Sequence, residues 1–217
     1  MIIVLFFLIS IPITLMMFLV GRRSRITLSF MLLGMLICLF TASFNGQLLK
    51  LVQNDYRYLT TNIAPISEEF IKFLAIQFYA AHFSRKRDDL LNVSMAVGIG
   101  FAIFENLIFA INKASTVSVA WAVSRSFAAS LLHGVCTSMV GFGMSFIESK
   151  KFRVPGVFSL LVMAITYHAI FNTLIQSSYS YIGMAMPMLT YVPFIIYYIR
   201  KLKEENAAEK ALEALDN

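Results

Sequence analysis

Seven long apolar runs constrain this chain more than any other feature. They cover roughly residues 2–20, 26–44, 64–83, 91–112, 118–147, 156–177 and 180–199, with short polar segments between them. A helix needs about 20 mostly apolar residues to cross ~30 Å of hydrocarbon. Lipid offers the backbone no hydrogen-bond partners, so each run must be helical. The expected fold is all-α: a polytopic bundle of seven transmembrane helices. It forms a single membrane domain over residues 1–199, with a short charged tail over 200–217 that reads as a solvated helix. Composition agrees, because 59% of the residues are apolar and only 14% are charged. A soluble domain of this size needs a more polar surface.

A net charge of +6 would suit a nucleic-acid binder if the basic residues formed a patch. They fall instead in clusters between the apolar runs, which excludes that class and points to membrane orientation. One side receives Arg22, Arg23, Arg25, Arg85, Lys86, Arg87, Lys150, Lys151, Arg153, Arg200, Lys201, Lys203 and Lys210. The other receives only Lys50, Arg57 and Lys113. Cytoplasmic loops carry the lysine and arginine excess, so the N-terminus is expected outside and the C-terminus in the cytoplasm. The first run lacks a basic leader and a small-x-small cleavage site. Gly21-Arg22-Arg23-Ser24-Arg25 follows it directly, as expected of a retained span. Cys38 and Cys136 lie inside apolar runs and read as free thiols.

Ionisable groups nevertheless occur inside the spans: Glu68, Glu69, Lys72, Glu105, Arg125, His133 and His168, accompanied by Asn106 and Asn172. Each such group at the bilayer centre costs ~2.5–3.5 kcal/mol on insertion scales, so they are expected to face one another or water and to serve a function. Helical spacing supports convergence. Glu68 and Lys72 stand four apart, as do His168 and Asn172, while Glu69 projects about 100° from Glu68. The fifth run carries Arg125, Ala129, His133, Thr137 and Gly141 on one stripe, and Ser126, Ser130, Gly134 and Ser138 beside it. Small residues at this interval let helices approach closely, which makes that helix central. At a rise of ~1.5 Å per residue, Glu68 lies ~6 Å and Glu105 ~10 Å below the outer ends of their spans.

These residues fall into four motifs: Glu68-Glu69-x-x-Lys72, Phe101-x-x-x-Glu105-Asn106, His133-x-x-x-Thr137 and His168-x-x-x-Asn172. Their order on four spans resembles the PrsW membrane proteases. That family is itself similar to the CAAX prenyl endopeptidases, which have histidine where this chain has Glu105, and to the APH subunit of γ-secretase. The resemblance implies a multi-pass enzyme of the bacterial cytoplasmic membrane. Its substrate would be a single-pass membrane protein, such as an anti-sigma factor, cut near the extracytoplasmic side.

Peptide hydrolysis requires an activated water, a group that stabilises the oxyanion and a proton donor for the leaving amine. In a metal-free version, Glu69 or Glu68 takes the proton from water and Lys72 or Arg125 fixes the carboxylates. His168 and Asn172 hold the oxyanion, and Glu105 and His133 complete the water site. In a zinc version, His133 and His168 with Glu69 or Glu105 supply the two imidazoles and one carboxylate of a catalytic ion. Plainer roles compete: Lys72 and Arg125 as structural counter-ions, Asn106 as a bridge between helices, and His133 as a cross-helix hydrogen bonder. At the level of the whole protein, a non-catalytic membrane scaffold and a proton- or ion-coupled transporter are the alternatives. A transporter usually shows repeated halves with broken helices, and none is visible here.

Overall fold

The computed structural model describes residues 2–113, 116, 118–146 and 153–215. These form α1 (Ile2–Met17), α2 (Arg22–Leu51), a single turn α3 (Tyr56–Tyr58), a π-helical segment (Leu59–Ile63), α4 (Ala64–His82), α5 (Arg87–Lys113), α6 (Val119–Met144), α7 (Arg153–Ile175) and α8 (Ser180–Leu215). The described residues contain no strand.

Among the described residues, four helical stretches are long and apolar enough to cross a membrane: Arg22–Leu51, Arg87–Asn112, Val119–Met144 and Val154–Ile175. The sequence led us to expect seven. Of the remaining helices, α1 has only a shorter apolar stretch, Leu5–Met17. Helix α4 carries Glu68, Glu69 and Lys72 within its 19 residues. Helix α8 contains Pro187 and Pro193 and continues to Leu215, so residues 200–215 extend this helix rather than starting their own. Helix α2 is also longer than its apolar run, because Arg22–Arg25 at one end and Asn45–Leu51 at the other remain helical.

The link from α2 to α4 is compact. Gln53 and Asn54 adopt left-handed backbone conformations, with φ of 55° and 63°. Asp55 then caps the next turn, accepting a hydrogen bond from the Tyr58 N–H at 2.8 Å. The π segment runs directly into α4, where Pro65 occupies the first turn. A missing N–H is harmless at that position.

Helix α5 lies between α2 and α6, and α6 packs in turn on α7 and α8. Two glycines explain the sandwich. Residues 98 and 100 point to nearly opposite sides of a helix. A methyl group at Gly100 would lie 2.0 Å from the Met31 carbonyl oxygen of α2. One at Gly98 would lie 2.3 Å from the His133 carbonyl oxygen of α6. Both neighbours are backbone, which cannot swing aside as a side chain does.

Burial is inverted relative to a soluble protein. Glu69, Lys72, His133 and His168 are buried, whereas Leu15, Phe18, Phe158 and Tyr181 are exposed. An apolar exterior of this extent needs lipid around it, and the chain is a multi-pass membrane protein.

Gly98→Ala should force α5 and α6 apart at His133. Overpacking of this kind costs about 1–3 kcal/mol. The expected outcome is a lower unfolding temperature of the purified protein in detergent, with Gly46→Ala as the control. Gly46 has no neighbouring atom within 4 Å of an added methyl.

Candidate active site

Helix α4 supplies Glu68, Glu69 and Lys72; α5 supplies Phe101, Glu105 and Asn106; α6 supplies Arg125 and His133; and α7 supplies His168. Their side chains form one continuous network. Lys72 Nζ donates to Glu69 Oε1 at 2.6 Å, and both side chains are fully buried. The Glu69 Oε1 atom also accepts from His168 Nδ1 at 2.8 Å. Lys72 Nζ reaches His133 Nδ1 at 3.1 Å, and His133 Nε2 lies 3.2 Å from Glu105 Oε2. Arg125 closes the chain, 3.6 Å from Glu105 Oε1.

These contacts determine where the imidazole protons sit. An ammonium group only donates, so His133 Nδ1 is the acceptor and its proton resides on Nε2, facing Glu105. His133 is thus held at both nitrogens. His168 differs. Its Nδ1–H faces the Glu69 carboxylate, so Nε2 is the nitrogen with which the ring can ligate a cation. That nitrogen lies 3.8 Å from Glu68 Oε2, too far for a hydrogen bond. Glu68 Oε2 and Glu69 Oε2 are buried and have no hydrogen-bond partner among the described residues. The His133 and His168 rings meet edge to face, with centroids 4.9 Å apart. Phe101 covers the inner side, its ring 4.7 Å from that of His133 and 4.6 Å from Lys72 Nζ.

Donor atoms of Glu68, His133 and His168 all lie within 4.8 Å of one another. Two imidazoles and a carboxylate are a donor set suited to a catalytic zinc ion with one position left for water. The Nε2 atom of His168 facing an unpartnered carboxylate oxygen suits a cation in the same place. The residues present therefore fit a bound divalent metal once His133 Nδ1 releases Lys72. The carboxylate of this set is Glu68, whereas the sequence suggested Glu69 or Glu105; those two are engaged by Lys72 and His168, and by His133 and Arg125.

Other expectations change partners. Lys72 pairs with Glu69 across three residues and not with Glu68 across four. Asn172, expected to hold an oxyanion beside His168, donates its amide to the Thr60 carbonyl of the π segment at 2.9 Å. Thr137 Oγ donates to the His133 carbonyl at 2.7 Å, a bond within its own helix. Asn106 does bridge helices. It donates to the Ser126 carbonyl at 3.2 Å and accepts from Arg125 at 2.7 Å. Two residues that the sequence did not single out, Asn45 and Ser67, contact each other and approach Glu68. Asn45 falls one residue beyond the apolar run of its helix, and its polarity there was the only available signal.

Charged side chains rarely converge inside a lipid-facing bundle without chemistry to perform. The network combines carboxylates that accept protons with imidazoles held in defined tautomers, the equipment of a hydrolase enclosed in a membrane. The chain is a membrane-embedded protease. It belongs to the PrsW family of intramembrane metalloproteases, whose family model matches residues 22–198. No curated protein and no solved structure matches the chain.

Lys72→Met should leave the Glu69 carboxylate buried without its cation. Breaking one side of a buried pair costs about 3–5 kcal/mol. The double variant Lys72→Met/Glu69→Gln should recover most of that loss. Unfolding of the two single variants and the double variant in detergent measures the coupling.

Proposed function

We propose that this protease hydrolyses a peptide bond of a single-pass membrane protein, an anti-sigma factor being one example, near the extracytoplasmic face of a bacterial cytoplasmic membrane. The observation that carries the reading is the pairing of His168 Nε2 with Glu68 Oε2 at 3.8 Å, beside a second unpartnered carboxylate oxygen, Glu69 Oε2. Glu68, His133 and His168 would hold a zinc-class ion, which supplies a Lewis acid and a water that ionises readily near neutral pH.

The chain's own residues do the remaining work. Glu69 accepts the proton of the attacking water on Oε2, since its Oε1 is already occupied by Lys72 and His168. Lys72 donates to that carboxylate and fixes its plane. Glu69 in turn orients His168 so that Nε2 faces the reacting space, as carboxylates behind metal-bound histidines do. His133 would join the donor set through Nδ1, on releasing Lys72, and would keep its Nε2–H on Glu105. Glu105, anchored by Arg125, accepts from that Nε2–H and fixes the ring. The proton collected by Glu69 passes to the leaving amine, which completes hydrolysis.

We place the protein in the membrane with seven spans, α1, α4 and α8 crossing beside the four longest apolar stretches. The N-terminus then lies outside and the C-terminus inside. Loop charges support this arrangement, and so does depth. The start of α4, the end of α5 and the end of α7 share one side. Glu68, Glu105 and His168 lie about 6, 12 and 10 Å from those ends. His133 lies about 21 Å from the start of α6 on that side, so the site and the proposed cut run from the outer half to the midplane.

Co-expression with a tagged single-pass substrate tests the reading. Glu69→Gln and His168→Ala should each lower cleavage by about 10²–10⁴-fold at unchanged protein levels, the scale of a lost general base. A zinc chelator should abolish cleavage and added zinc should restore it. Undiminished cleavage in both variants would refute the assignment.

A further inference from the structure

Glu68 is approached from α2, a helix outside the four motifs. Its Oε1 lies 3.5 Å from Asn45 Nδ2, and Asn45 Oδ1 accepts from Ser67 Oγ at 2.7 Å. Asn45 is buried, at 8% exposure, six residues before the end of α2. A carboxamide has a donor end and an acceptor end of almost the same shape, so its neighbours decide which end faces where. The Glu68 carboxylate only accepts, so the NH₂ end faces it and the oxygen turns to the Ser67 hydroxyl. Its single proton has two acceptors in reach, and the Asn45 oxygen is closer than the Ala64 carbonyl, which lies at 3.0 Å. With its NH₂ on Glu68 and its oxygen on Ser67, Asn45 is anchored at both ends.

The consequence falls on Glu68. The terminal torsion of a glutamate is broad and roughly two-fold, and its two oxygens are otherwise equivalent. Holding Oε1 from the α2 side aims Oε2 at His168 Nε2, 3.8 Å away, and leaves that oxygen without a competing partner. We infer that Asn45, anchored by Ser67, is a positioning residue that presents Glu68 Oε2 as the carboxylate donor to a divalent cation shared with His133 and His168. This inference rests on the metal reading above and extends it to a helix that contributes no ligand. Glu69 braces His168 from α4, and Asn45 braces Glu68 from α2. Glu105 stands behind His133 from α5 in the same way.

Zinc affinity of the purified full-length protein, measured in detergent by competition with a chromogenic chelator, tests the inference. Unfolding temperature is recorded in parallel. Removing an outer partner of a metal ligand typically weakens binding by about 10–100-fold, and Asn45→Ala should fall in that range without a matching loss of stability. Ser67→Ala should weaken binding in the same direction, because the Asn45 amide then loses the anchor on its oxygen. Ser67→Thr retains the hydroxyl and should bind as the wild type does. If Asn45→Ala folds poorly, the Ser67 pair carries the comparison alone. His168→Ala reports on the underlying metal reading. Wild-type affinity in Asn45→Ala and Ser67→Ala, with loss in His168→Ala, overturns the positioning role and leaves the metal site standing. Equal weakening in Ser67→Ala and Ser67→Thr also overturns it. Unchanged affinity in His168→Ala removes the metal site, and the positioning role with it.

Discussion

The ammonium of Lys72 holds this structure together. It is fully buried and has two partners, the Glu69 carboxylate on its own helix and the His133 ring on α6. A cation in an apolar interior is tolerated only when it is paired and hydrogen-bonded. From that one contact the network extends to His168 through Glu69, and to Arg125 through His133 and Glu105. Four helices, α4, α5, α6 and α7, are therefore tied by polar groups in register, in a medium where an unpaired group is expensive. The site exists because each member neutralises the next.

Close backbone approach makes the register possible. Gly98 brings the α5 backbone against the carbonyl of His133, so the histidine and Glu105 sit on surfaces that touch. Gly100, two residues on, seats the opposite side of α5 on α2. Lipid supplies little hydrophobic drive between helices, so packing depends on small residues and interhelical hydrogen bonds. The same small-residue stripes that lower side-chain bulk also shorten the distances over which the polar groups must reach. Packing and chemistry therefore share the same residues.

Much of the site was legible in the amino-acid order. Glu68, Glu69, Lys72, Glu105, Arg125, His133 and His168 stand out because each is costly where it occurs, and the network joins them. Their pairings were not legible. On a helix, both the third and the fourth residue along are neighbours, and a lysine is long enough to reach either. Spacing could not distinguish Glu69 from Glu68 as the partner of Lys72. Asn172 shares a helix face with His168, yet its amide turns to Thr60, a carbonyl contributed by the π segment more than a hundred residues away in the chain. Asn45 went unnoticed because it lies where the apolar run of α2 ends and the helix does not. Hydropathy marks the greasy stretch, whereas hydrogen bonding sets the helix end.

By itself, the order of residues determined a helical membrane chain, the segments that carry its charged groups and the kind of chemistry those groups permit. These follow from transfer free energies and helical period, which are properties of each segment alone. Tertiary structure decided which oxygen of Glu68 is left without a partner, which nitrogen of His168 can ligate a cation and which side chains stand behind them. Those choices depend on rotamers and proton positions set by atoms on other helices. No single segment contains that information.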